Sequence, residues 1–125
     1  MTSHHPRPTS PHLQIYRLPL TGLISITHRI TGVLLAAGIF LLMSVFYSLA
    51  QGEASYRNFQ ILAGYWLVKP VFWGIIFALF FHLCHGVRHL LWDLGKSFNP
   101  ALLNLYATME LLCAAGLALL TWLLF

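Results

Sequence analysis

The residues of this chain best equipped for chemistry lie together in Phe81-His82-Leu83-Cys84-His85-Gly86-Val87-Arg88-His89, three imidazoles and a guanidinium in an apolar setting. On a helix, His82, His85 and His89 stand at i, i+3 and i+7 and share a face, and Gly86 falls one turn after His82 on the same side. A neutral imidazole can coordinate a transition metal through one ring nitrogen while the other makes a hydrogen bond. A His-lined face with a gap in its side-chain surface therefore fits a flat, polar-edged group lying against it. A second set, Ser25-Ile26-Thr27-His28-Arg29-Ile30-Thr31-Gly32, puts Ser25 and Arg29 one helical turn apart, so that a hydroxyl and a guanidinium can address one ligand oxygen. An apolar slot with a few donors of this kind suits the ring and carbonyls of a quinone. The same residues are also accounted for by Ser25 and Thr27 as a helix cap and Arg29 as an interfacial anchor.

The elements that must position these groups are membrane helices. Of the 125 residues, 58% are hydrophobic and 8% charged, far below the roughly 25% charged residues of a soluble domain. The net charge of +4 is not gathered into a basic face, so nucleic acid is not an expected partner. Cys84 and Cys113 lie in apolar runs and read as small buried side chains, not as a disulfide framework. Residues 1–11 are polar and broken by Pro6, Pro8 and Pro11, with no apolar signal core. The adjacent His4 and His5 read as part of a solvated tail.

Residues 30–50 carry no charge, and about 21 residues at 1.5 Å each cross a hydrocarbon core of about 30 Å. A second uncharged run, 70–87, begins at Pro70, which suits a first helical turn. After Asp93, Gly95 and Lys96, Asn99 is placed to cap a third helix that starts at Pro100. Glu110 falls about 15 Å along that helix, at the bilayer interface or slightly within it. The expected fold is thus all-α, a single anchor domain over 1–125 with an interfacial segment over 1–20 and transmembrane helices at about 24–50, 66–92 and 100–125. Tyr47, Tyr56, Tyr65 and Trp66 are distributed as an aromatic belt. Arg7, Arg17, Arg29, Arg88 and Lys96 fall on one side of the membrane and Arg57 and Lys69 on the other. The positive-inside rule then puts the N-terminus in the cytoplasm, or in the matrix of a mitochondrion.

On the second of these helices His82 sits near the middle. There it can be a haem-iron ligand or an interhelical hydrogen-bonding histidine, and Gly86 favours haem by leaving clearance for a porphyrin. His85 is not excluded as the ligand by spacing. Arg88 and His89 lie closer to the inner interface, where haem propionates could reach them, while Arg88 could equally snorkel to headgroups. Three spans are too few to enclose a haem with two axial histidines and a quinone slot. The small residues Gly32, Ala36, Ala37, Gly38, Ala114, Ala115, Gly116 and Ala118 permit close packing, including with a second membrane subunit.

Three blocks carry a family resemblance: Ser10-Pro11-His12-Leu13-Gln14-Ile15-Tyr16-Arg17, then Ser25 to Gly32 as quoted above, then His82-x-x-x-Gly86-x-Arg88-His89-Leu90-x-x-Asp93-x-Gly95. In order, spacing and setting the chain resembles the cytochrome b556 membrane-anchor subunits of succinate dehydrogenase, respiratory complex II. The resemblance implies three transmembrane helices forming part of a heterodimeric, haem-binding bundle in a bacterial or mitochondrial inner membrane. It implies a complex with a flavoprotein holding FAD, an iron–sulfur subunit and a second anchor, in which this chain performs no dehydrogenation itself and has no catalytic residue of its own.

By the same resemblance His82 ligates haem b, with the opposite ligand from the second anchor. His28, Arg88 and His89 lie near the haem edge, and Ser25 and Arg29 line the ubiquinone site. His85 departs from the family, which commonly has an apolar residue there, and no role is implied for it, for Glu110 or, beyond a candidate proton donor, for Asp93. A quinol-oxidising fumarate reductase anchor is the nearest alternative function; a cofactor-free membrane scaffold or assembly protein is the alternative of a different class.

Overall fold

The computed structural model describes residues 16–124, so the expected interfacial segment over 1–20, with His4, His5 and Arg7, lies largely outside the described residues. The described chain is helical, with no strand among its residues: α1 (Leu20–Ala50), α2 (Glu53–Ala63), α3 (Lys69–Asp93), a 3-10 turn (Pro100–Leu102) and α4 (Leu103–Leu124). By length and hydropathy α1, α3 and the stretch Pro100–Leu124 are each able to cross a membrane, with mean hydropathies of 2.3, 1.7 and 1.8 in their most apolar windows.

The first helix begins at Leu20 because Pro19 can start it without a side-chain cap. The extended Pro19 offers its carbonyl to the N–H groups of Gly22 and Leu23 at 3.0 and 3.1 Å. Ser25 and Thr27 are therefore inside the helix rather than capping it, and the Thr27 hydroxyl donates back to the Leu23 carbonyl at 3.0 Å. At 31 residues the helix is about 46 Å long, more than one hydrocarbon core, so one of its ends lies among headgroups.

Helix α2 has no counterpart in the expected spans. Gly52 turns the chain with φ of 99°, a left-handed conformation that glycine adopts without strain. An exposed Arg57–Glu53 pair at 2.8 Å, one turn apart, then ties the first turn of α2. Lys69 and Pro70 open α3, and Gly95 with φ of 71° follows its end. Asn99 caps the next segment, its side-chain oxygen accepting from Ala101 N at 3.0 Å, although the first turn after Pro100 is 3-10 rather than α.

Packing places α3 between α1 and α4. The apolar core is small: Ile24, Ala78, Phe81, Ala107 and Ala114, with Phe81 wholly enclosed. Ala107 and Ala114 on α4 let that helix approach α3 closely. On α1, a Cβ at Gly38 would stand 3.1 Å from Ile75 Cγ2, whereas Ala36, Ala37, Ala115 and Gly116 face outward. Most large apolar side chains also face outward, Val33 and Phe40 among them at 72% and 78% exposure, as expected where lipid is the solvent. Cys113 is among the outward residues and Cys84 is half-buried; both are free thiols. The expectation of two buried cysteines fails for Cys113 because an apolar run in such a helix need not face the protein interior.

Candidate functional site

Four imidazoles converge where α1 crosses α3. The ring of His28, from α1, stacks on that of His82 with centroids 3.9 Å apart and planes within 15°. It also lies 4.5 Å from His85 and 5.6 Å from His89, both tilted. His85 and His89 meet edge-on at 4.7 Å. Each of His28, His85 and His89 offers a ring nitrogen within 4.8 Å of the other two, and the Nε2 atoms of His28 and His85 are buried with no hydrogen-bond partner. Such a nitrogen-rich cluster can donate to or coordinate a polar or metal-centred group.

His82 is half-buried at the seam. Its Nδ1 lies 3.2 Å from the hydroxyl of Thr31, and its Nε2 makes no hydrogen bond among the described residues. A Cβ added at Gly32 would come 3.3 Å from His82 Cε1, so this glycine is what lets the ring sit against α1. Gly86 was the position expected to give clearance; a Cβ there would meet nothing within 4 Å. It leaves open surface on α3 one turn from His82 without being needed for packing inside the chain. An imidazole with one nitrogen engaged and one free, beside open helix surface, has the donor set to hold a planar iron-centred group such as haem.

Arg88 turns away from headgroups and into the bundle. At 6% exposure its Nη1 donates to Glu110 Oε2 at 3.2 Å and its Nη2 to the Leu103 carbonyl at 3.4 Å, while its guanidinium carbon lies 4.8 Å from the Trp92 ring centroid. The other oxygen of the same carboxylate, Oε1, is 2.6 Å from His85 Nδ1. Glu110 is thus buried, at 7% exposure, and joined to two groups on α3. This trio escaped the sequence reading. Its signal was the lone acid of the last span, since an acid held inside a membrane bundle needs a partner, and α3 offers both a cation and an extra imidazole.

Ser25 is half-buried and Arg29 exposed one turn later on α1, with His28 immediately before Arg29. Neither Ser25 nor Arg29 makes a side-chain hydrogen bond among the described residues, so both keep their donors for a ligand or a neighbouring subunit. An apolar groove of about 510 Å³ lies elsewhere, between α3 and α4, lined by Cys84, Val87, Arg88, Tyr106, Glu110 and Cys113. Asp93 is exposed at the end of α3.

Residues 3–124 match the family described as succinate dehydrogenase/fumarate reductase transmembrane subunit. A Rickettsia felis protein named succinate dehydrogenase cytochrome b556 subunit is 35% identical over 119 residues, covering 95% of this chain and 93% of that protein. The Marchantia polymorpha succinate dehydrogenase cytochrome b560 subunit is 38% identical over 120 residues, covering 91% of this chain and 87% of its own length. The b556 subunit of Paracoccus denitrificans is 40% identical over 89 residues, covering 71% of this chain and 68% of that protein.

Proposed function

Since the chain belongs to the family of succinate dehydrogenase/fumarate reductase transmembrane subunits, we propose that it is the cytochrome b anchor of a succinate:ubiquinone oxidoreductase, sharing haem b with a second anchor subunit. The observation that carries this reading is the stacking of His28 on His82 at 3.9 Å. It brings the candidate iron ligand on α3 against the helix that also bears Ser25 and Arg29. Relatives named for succinate dehydrogenase favour succinate oxidation over the fumarate reductase direction, and their cytochrome names favour a haem protein over a cofactor-free scaffold.

In this reading His82 would be this chain's ligand to the haem iron, and a second anchor subunit would supply another. Haem, when bound, supplies a one-electron carrier next to the quinone. His28 and His89 provide donors at the polar edge of that group. Arg88 was expected there too, but its guanidinium is shared between Glu110 and the Leu103 carbonyl, and its part is to hold α3 in place. In this reading FAD and iron–sulfur clusters in partner subunits would supply the electrons from succinate, and this chain would provide anchorage and part of the ubiquinone site.

Arg29 is the residue placed to stabilise negative charge developing on a quinone carbonyl oxygen, with the Ser25 hydroxyl as a second donor. Two protons complete reduction to the quinol, and exposed Asp93 is a candidate to admit them from the inner side. The basic residues Arg17, Arg29, Arg88 and Lys96 favour an inner-membrane orientation with the N-terminus in the cytoplasm or matrix. Purification through a tag on this chain tests the proposal. A reduced b-type absorption band and co-purification of a flavoprotein, an iron–sulfur protein and a second small membrane subunit are the expected result. A colourless preparation without a flavoprotein would overturn it.

A further inference from the structure

Resting on the reading of His82 as an iron ligand, we propose that Thr31 is the positioning residue that selects which nitrogen of His82 faces the iron, holding the Nδ1 proton and leaving Nε2 bare. Thr31 is buried, at 4% exposure, and its hydroxyl has two neighbours: the His28 carbonyl oxygen at 2.8 Å and His82 Nδ1 at 3.2 Å. A carbonyl oxygen only accepts, and a hydroxyl has one proton to give. The Thr31 proton therefore goes to the His28 carbonyl, and what remains for His82 is a lone pair. Nδ1 must then be the protonated nitrogen, and in a neutral imidazole that makes Nε2 the free one. For the opposite tautomer the hydroxyl would have to turn its proton to Nδ1, giving up the 2.8 Å bond to the His28 carbonyl and facing that oxygen with a lone pair.

Two further contacts from α1 complete the pose. The backbone at Gly32 admits the Cε1–Nδ1 edge of the ring, since a Cβ there would lie 3.3 Å from Cε1 and 3.9 Å from Nδ1. The His28 ring covers one face at 3.9 Å. Tautomer, edge and plane of the α3 histidine are thus all set from α1. Outer partners of this kind orient a ligating histidine and raise its basicity, and a more basic imidazole favours ferric over ferrous iron.

The test uses the purified complex with subunit content matched across variants. Thr31→Val removes the hydroxyl at nearly constant volume; we expect the haem midpoint potential to rise and haem retention to weaken about tenfold, with Thr31→Ser restoring both. Thr31→Ala is read in the same way if the valine variant does not assemble. Unchanged potential and retention in the hydroxyl-free variant overturns the inference and leaves the ligand assignment standing. A b-type band that survives His82→Ala overturns the ligand assignment, and this inference with it.

Discussion

His85 on α3 and Glu110 on α4 are joined by a 2.6 Å contact between Nδ1 and Oε1, at a depth where neither side chain reaches solvent. Arg88, one turn along α3, takes the other carboxylate oxygen at 3.2 Å, so one acid is shared by two groups of the neighbouring helix. Removing one member of such a buried set leaves an uncompensated charge, at a typical cost of about 3–5 kcal/mol, whereas replacing the whole set by apolar residues is often neutral. Glu110→Leu should therefore lower the thermal midpoint of the purified complex, and a Glu110→Leu/Arg88→Met/His85→Val triple variant should recover most of the loss. A triple variant no more stable than the single one would count against the shared-acid account.

His82 and His85 compete for the ligand role on spacing alone. Both have Nδ1 engaged, His82 with Thr31 and His85 with Glu110, so access is what favours His82: His85 is enclosed, while His82 is half-buried at the seam with α1. His82→Ala is expected to abolish the reduced b-type band and His85→Val to preserve it. The reverse pattern in optical spectra of the two purified variants would transfer the iron to His85.

Arg29 is exposed and makes no ion pair among the described residues. Loss of a single charge-stabilising donor typically costs about 100-fold in rate, so Arg29→Ala should depress succinate:quinone reductase activity on that order. Succinate oxidation with an artificial acceptor should remain. Ser25→Ala, which removes a neutral donor, should cost less, about threefold to tenfold. Parallel loss of both activities in Arg29→Ala, with all subunits present, would remove the quinone role.

Gly32 and Gly86 make contrasting predictions. A methyl group at position 32 meets the His82 ring, and Gly32→Ala should shift the haem spectrum by displacing the ligand. A methyl group at position 86 meets nothing in this chain. If Gly86→Ala nevertheless lowers haem content at unchanged helicity and subunit composition, the open surface of α3 is where the group lies; full haem content in Gly86→Ala would remove that placement.

Much of the scaffold was legible because the uncharged runs 30–50 and 70–87 and the Asn99-Pro100 signal are local properties of the chain. The start of α1 was not. Pro19 caps through its backbone, which no side-chain pattern announces, while Ser25 and Thr27 resemble caps and are not. Helix α2 was missed because residues 53–63 are too polar to read as a span, and their pairing of Glu53 with Arg57 speaks only of a surface helix. At the site, the candidate residues could be named from type and spacing, but their directions could not. Whether Arg88 faces lipid headgroups or α4 depends on how α3 and α4 are rotated against each other. Which glycine seats His82 depends likewise on the crossing of α1 with α3, and that glycine is Gly32.

The Glu110 clamp has a geometric consequence for the adjoining face of α3, the one turned toward α1. Successive residues of a helix advance by about 100° of azimuth, so holding His85 and Arg88 against a single carboxylate pins the rotation of the whole helix. His82 lies less than one turn before His85, and its bearing around the bundle follows from that pin. One acid on α4 thereby works as an indexing key: it sets the compass direction in which α3 presents its imidazole to α1, without touching that imidazole.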